Sequence, residues 1–198
     1  GQLLVERTTA FGDSYLRLSD GGAVEMSGDA RISYVENTIA LGGGTVRLRG
    51  NASICGKVTW DGVKNSASTQ GRIRIAPTSG RTAVVTVDDD ASLAMDASQS
   101  LVYVNTDNAR SILNWNSSQT LKAVNTFAVG YIKGYGEVNL TRGQIVGGGY
   151  GVRIAQTGVN PTEANCVTGV VNVAGGSMLN TSSWDSATTV HGLIVGSG

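Results

Sequence analysis

Asp88, Asp89 and Asp90 form the one acidic cluster of the chain, and adjacent carboxylates can do two kinds of chemistry. A pair can divide general-acid and general-base work in glycoside hydrolysis, and a group can ligate calcium, the hard cation that acidifies a uronate for elimination. Arg72, Arg74 and Arg153 are the cations such a site would set against an acidic polysaccharide. Their alternation with Ile73, Ile75, Val152 and Ile154 is equally what the outer face of a half-buried strand produces. The triplet stands where Gly28-Asp29 and Gly50-Asn51 stand in similar segments, so a solvated corner is preferred here to calcium binding or catalysis. The single histidine, His191, reads as a surface or strand residue. With one His and no Gly-x-Ser-x-Gly, no Ser-His-Asp set can be assembled. No catalytic, cofactor-binding or metal-ligating residue is assigned, no cofactor is expected, and the chain is read as a non-enzyme.

Other residue types carry weaker signals. Trp115, Trp184, Tyr131, Tyr135 and Tyr150 could stack on sugar rings from an exposed face, but anchors that pack loops onto the body are the expected role. Gly42-Gly43-Gly44 and Gly147-Gly148-Gly149 lack the Lys-Ser/Thr and the following helix of a phosphate loop, so they read as corners. Asn51, Asn116, Asn139 and Asn180 each open an Asn-x-Ser/Thr sequon of the kind this composition generates by chance. Cys55 and Cys166 lie 111 residues apart. In a stack rising about 4.8 Å per layer, that separation exceeds the roughly 7 Å reach of a disulfide, and two buried thiols are expected.

The elements that position these residues show in a nine-residue unit that occurs five times, starting at Val24, Val46, Val85, Val138 and Val171. Unit positions one, three and nine are apolar, as in Val46, Leu48 and Ile54, and turn formers such as Gly50-Asn51 or Asp89-Asp90 fill the middle. This pattern predicts a strand with one buried face, a tight corner, and a second strand. The intervals between starts are 22, 39, 53 and 33 residues, as expected when loops of different length leave a stack. The best loop candidates are Val58 to Gln70, Asp96 to Leu121 and Gln156 to Val167. No helical periodicity is sustained anywhere. The fold predicted is all-β, a parallel β-solenoid of about seven coils, with a β-sandwich as the alternative.

Composition agrees. The 198 residues balance 15 basic against 15 acidic side chains, which argues against a nucleic-acid partner or an anionic membrane surface. Charged residues are 15% of the chain against about 25% in an ordinary domain, the deficit filled by Gly, Ser, Thr and Asn. No apolar run approaches the roughly 20 residues of a membrane helix, so membrane insertion is not expected. Gly1-Gln2 carries neither an initiator Met nor a signal-like stretch, and nothing at Gly1 or Gly198 looks like a cap. Residues 1–198 therefore read as a single solenoid segment excised from a longer chain.

Gly136-Glu137-Val138-Asn139-Leu140-Thr141-Arg142-Gly143 and Gly169 to Ser177, with Leu193-Ile194-Val195-Gly196 like the opening of one more unit, carry a resemblance. They resemble the Gly-rich repeats of bacterial autotransporter passenger domains and related surface proteins of Gram-negative bacteria, over residues 14 to 54 and 125 to 198. The resemblance implies a right-handed parallel β-helix outside the cell or on its surface, with an adhesive, display or structural role. Its implied partners are host or environmental glycans, surface proteins and the remainder of its own chain. The alternative function is a carbohydrate-active β-helix that binds or cleaves acidic polysaccharide through Asp88, Asp89 and Asp90 with nearby Arg.

Overall fold

The computed structural model describes residues 2–7, 14–19, 22–35, 38–41, 44–57, 70–77, 80–96, 99–105, 109–156, 166–181 and 193–197. Among them the chain forms strands and no helix: β1 (Gln2–Arg7), β2 (Ser14–Ser19), β3 (Gly22–Met26), β4 (Arg31–Val35), β5 (Thr38–Leu41), β6 (Gly44–Leu48) and β7 (Ser53–Lys57). These are followed by β8 (Gln70–Ile75), β9 (Thr82–Asp89), β10 (Ser92–Asp96), β11 (Gln99–Val104), β12 (Arg110–Ser117), β13 (Thr120–Ala123) and β14 (Thr126–Tyr131). The last are β15 (Gly134–Leu140), β16 (Gln144–Gly147), β17 (Gly151–Gln156), β18 (Val167–Val173), β19 (Met178–Thr181) and β20 (Leu193–Ser197).

From β2 onward the chain visits its sheets in strict rotation. An eight-stranded sheet runs β1-β2-β5-β8-β11-β14-β17-β20, a six-stranded sheet β3-β6-β9-β12-β15-β18, and two three-stranded sheets β4-β7-β10 and β13-β16-β19. Every described pairing is parallel except β1 with β2, which is antiparallel. This is not the sandwich alternative, whose hairpin-linked sheets are antiparallel. At this end of the eight-stranded sheet Gln2 to Arg7 pair antiparallel along the whole of β2.

The apolar positions of the repeated unit meet in register. Val46, Val85, Leu113 and Val138 form one column of the six-stranded sheet, and Leu48, Val87, Trp115 and Leu140 form the next; all are buried. Facing them, Ile39, Ile73, Val102, Phe127 and Val152 of the eight-stranded sheet are fully buried. Each such side chain contributes about 1.5–3 kcal/mol on burial, and the parallel pairings give the backbone N–H and C=O groups partners in the neighbouring layers.

The structure adds a sixth unit, Leu113 to Leu121, inside the 53-residue interval that separated Val85 from Val138. The expected loop from Asp96 to Leu121 is thereby corrected, since β11 and β12 lie within it and β13 starts at Thr120. Its serines misled the pattern: Ser100, Ser111 and Ser117 are buried as small inward residues. Ser117 also builds the corner without glycine, its Oγ donating to the Ala91 carbonyl at 2.6 Å and accepting from the Gln119 N–H at 3.1 Å. Trp115 is core and not a loop anchor, with Nε1 donating to the Gln119 carbonyl at 3.1 Å. Of the other expected loops, residues 58–69 and 157–165 lie outside the described residues, while Gln70, Gln156 and Val167 are strand residues.

Two smaller expectations also change. Cys55 and Cys166 form no disulfide, but neither is buried: Cys55 is half-buried, on the opposite face of β7 from Ile54, and Cys166 is exposed ahead of β18. In the unit beginning at Val138 the inward residue after the corner is Ile145 and not Val146, because that corner is one residue shorter and Ile145 pairs with Leu121 and Leu179.

Candidate functional site

The aspartate triplet closes β9 and turns the corner toward β10. Asp89 has φ +59°, the left-handed conformation that Gly50 adopts at the same unit position one layer away at +66°. An Asp tolerates this better than most residues because its short polar side chain bonds locally. Here Asp89 Oδ2 accepts the Gly50 N–H at 3.0 Å, and the Asp89 carbonyl accepts the Ser118 N–H at 2.8 Å. Asp90 accepts a hydrogen bond from the Ser118 hydroxyl. Asp88 accepts from Arg47 Nε at 3.0 Å and from Asn116 Nδ2 at 2.9 Å. The expected corner is therefore built from bonded carboxylates that tie successive layers together. Among the described residues no group of His, Cys, Asp and Glu is arranged to hold a metal ion.

The cations proposed to work with the triplet are elsewhere. Arg72, Arg74 and Arg153 belong to the eight-stranded sheet, whereas Asp88 and Asp89 belong to the six-stranded one, where Arg47 is the partner of Asp88. Instead, Arg74, Tyr103, Ala128 and Arg153 stand in one register row across β8, β11, β14 and β17. The Tyr103 ring lies 5.4 Å from that of Tyr131, tilted by 31°. Burial, and then Tyr131, raise the Tyr103 hydroxyl above its ordinary pKa, while Arg72, Arg153 and Arg74 pull it down. Arg153 is held at three points. Its guanidinium covers the Tyr150 ring at 5.4 Å, Nη1 donates to Gln156 Oε1 at 2.8 Å, and Nε donates to the Tyr150 carbonyl at 3.5 Å.

A second polar arrangement covers the outer face of the six-stranded sheet. Unit position two holds Glu25, Arg47, Thr86, Asn114, Asn139 and Asn172 in a single row. Asn172 Nδ2 donates to Asn139 Oδ1 at 2.7 Å, Asn139 Nδ2 to Asn114 Oδ1 at 2.9 Å, and Asn114 Nδ2 to Thr86 Oγ1 at 3.2 Å. Beside this ladder, Glu137 accepts from the Tyr135 hydroxyl at 2.7 Å and from Asn139 at 3.0 Å, with Arg110 at 3.6 Å. The Tyr135 and Asn139 hydrogen bonds, in that order, hold the Glu137 carboxyl below its ordinary pKa, so it stays ionised and is no general acid at neutral pH. Next to it Arg81, Arg110, Tyr135, Cys166 and Thr168 line an open recess of about 420 Å³.

No known protein family, curated protein or solved structure matches the chain.

The residues weighed in sequence are thus dispersed. Tyr131 and Tyr150 lie at the eight-stranded sheet, Tyr135 on the six-stranded one, and Trp115 inside. Asn51, Asn116 and Asn139 spend their side chains on neighbouring layers, and Asn180 is exposed on β19. Gly147 to Gly149 form a corner whose N–H groups follow the preceding layer, Gly148 to the Ala123 carbonyl at 2.7 Å and Gly149 to that of Val124 at 2.9 Å. His191, Trp184, Gly42 and Gly43 lie outside the described residues. Only part of the asparagine ladder was legible, since aligning the five units on their first position puts Thr86, Asn139 and Asn172 in one column while Asn114 belongs to the sixth unit.

Proposed function

We propose that this chain is a segment of a right-handed parallel β-solenoid of about seven coils that serves as a non-enzymatic scaffold or adhesion module of a bacterial surface or secreted protein. Three-sheet rotation with a parallel pairing at each return supports the solenoid. Right-handedness follows from the strong preference of parallel crossovers for that hand. Seven strands from β2 to β20 stack in the eight-stranded sheet, which at about 4.8 Å each makes a body roughly 30 to 35 Å tall.

The observation that carries the functional reading is the use of Asp88, Asp89 and Asp90 as bonds between layers. Carboxylate oxygens that accept from Arg47, Gly50, Asn116 and Ser118 are engaged in joining one layer to the next rather than turned toward a substrate. The same economy applies to Glu137 and the asparagine ladder, whose donors and acceptors face one another. The extracellular setting and the passenger-like repeats of residues 14 to 54 and 125 to 198 rest on the resemblance of the glycine corners.

The test is to incubate the purified chain with polygalacturonate and with neutral glycans, with and without calcium. No unsaturated or reducing sugar should appear, and antibody to the chain should label intact cells of the source. Sugar release that Asp88→Asn or Asp89→Asn abolishes would replace this reading with that of a polysaccharide-cleaving enzyme.

A further inference from the structure

Strands β18, β19 and β20 are each the last strand of their sheet, so one layer presents the outer edges of all three. Its inward positions are open. In the second apolar column of the repeated unit Leu48, Val87, Trp115 and Leu140 are fully buried, whereas Val173 is 48% exposed. Leu193 pairs with the fully buried Val152 but is itself 55% exposed, and Val195 is 65% exposed. The layer also differs in charge. Residues 166–181 and 193–197 hold no Asp, Glu, Lys or Arg, while each preceding layer carries some, as Glu25, Arg47, Asp88, Arg110 and Glu137 show on successive strands of the six-stranded sheet. We infer that this end of the stack is the interface of a two-fold symmetric homodimer, in which two copies meet end to end through β18, β19 and β20. This goes beyond the scaffold reading, which a monomeric chain would leave standing.

Exposed strand edges are ordinarily guarded by charged side chains, lysine above all, which make pairing with another chain costly. Here that guard is absent where apolar exposure is greatest, the combination expected of a face that is covered when the protein works. A second copy suits the face because it is chemically complementary to itself. Apolar Val173, Leu193 and Val195 lie within, exposed Asn172 and Asn180 stand at the rim, and no charge is there to be repelled or stranded in the contact. The opposite end of the stack does not match it. Met26, in the same column as Val173, is 9% exposed, and β1 lies antiparallel beyond β2. Contact between like ends therefore closes at two copies instead of growing into a filament.

A two-fold axis perpendicular to the stack runs β20 antiparallel to β20 of the second copy, with Leu193 of one opposite Val195 of the other. Such pairing gives the N–H and C=O groups of the edge their partners, as β1 does for β2 at the far end. Strands of seven, four and five residues frame an end with sides of about 23, 13 and 17 Å, and side chains reaching about 5 Å outward widen each footprint to roughly 450 Å². Two footprints bury about 900 Å² together, the size of a weak and reversible contact.

Sedimentation velocity and light scattering of the intact chain, over about 1 to 300 μM as a small interface requires, follow the association. The mass should rise from one copy toward two and stop there, and about 1 M salt should not reverse it, since no charge pair holds the contact. Leu193→Lys/Val195→Lys, at positions already exposed, should weaken association by about tenfold or more, and Leu193→Glu/Val195→Glu likewise. Mixed in equal amounts, the lysine and glutamate variants should associate again, because each presents the same face to the other. Lys122→Gln, on an exposed site of β13 in an inner layer, should dimerise like the parent. Circular dichroism melts of each variant establish that the fold persists. A monomer at every concentration, its end left to a further coil of its own chain or to another partner, would overturn the inference. So would masses that grow beyond two copies, an equal loss from Lys122→Gln, or no recovery on mixing.

Discussion

Substitution at Asp89 separates a structural corner from a working carboxylate. Asp89 occupies the left-handed region at φ +59° and accepts the Gly50 N–H at 3.0 Å. The left-handed conformation costs an L-residue about 1–2 kcal/mol, the lower end applying to Asp, and an exposed hydrogen bond of this kind contributes about 1 kcal/mol. Asp89→Gly removes both, so its stability should stay within about 0.5 kcal/mol of the parent. Asp89→Asn keeps a local acceptor and tolerance of the conformation, and should also be near neutral. Asp89→Val adds β-branched strain and loses the bond, a cost of about 2–3 kcal/mol, with Ala in between at about 1–2 kcal/mol. For a chain of this size about 2–4 °C of melting temperature is lost per kcal/mol, so Val should lower it by roughly 4–12 °C. Thermal melts followed by circular dichroism read the series. A corner that required neither the left-handed conformation nor the Gly50 bond would make all four substitutions equal. That outcome, or a Gly variant as unstable as Val, would refute the argument.

Strand phase is tested with neighbours on β9: Val87→Asp, fully buried, should cost more than about 4 kcal/mol, and the outward Thr86→Asp less than about 1 kcal/mol in chemical denaturation. Val173→Asp is a poor probe of the same idea, because Val173 in the last layer is 48% exposed. Gly148→Ala should destabilise by about 1–3 kcal/mol, since its new Cβ would meet the Val124 carbonyl oxygen at 2.0 Å; refolding yield and melts measure it. Glu137 has a lowered folded pKa, so the unfolded chain binds more protons in acid, and its stabilisation is present above the unfolded carboxylate pKa of about 4.3 and lost as pH falls through the folded value. Glu137→Gln should accordingly flatten the loss of stability below about pH 5, and an unchanged acid limb would count against the Tyr135–Glu137 bond. Millimolar calcium should leave the melting temperature of the parent unchanged, and protection lost in Asp90→Ala would reveal a metal site at the corner.

The all-β character, the inward columns and most corners were legible in the residues alone. Alternation of Val46 and Leu48 with Arg47, or of Val85 and Val87 with Thr86, is a local consequence of burying one face of a strand. Glycine at positions 28, 50, 143 and 176 likewise answers a local demand, a positive φ that few residues meet without strain. Layer partnership was not local. Whether Asp89 faces Gly50, whether Arg74 shares a row with Arg153, and whether Asn139 bonds Asn114 and Asn172 depend on how many residues leave the stack between coils, and those lengths vary from 22 to 39 between successive units. Ser117 shows the limit most plainly: a serine corner in strand β12 has the composition of a loop, and only the Ala91 carbonyl of the layer beside it, 2.6 Å away, makes it a corner of the stack. Sequence by itself determined most of the inward apolar positions and most of the bends, because sterics and burial act over a few residues. The tertiary structure alone decided which polar groups meet, because hydrogen bonds and ion pairs reach only about 3 Å and form between segments that the stacking register brings together.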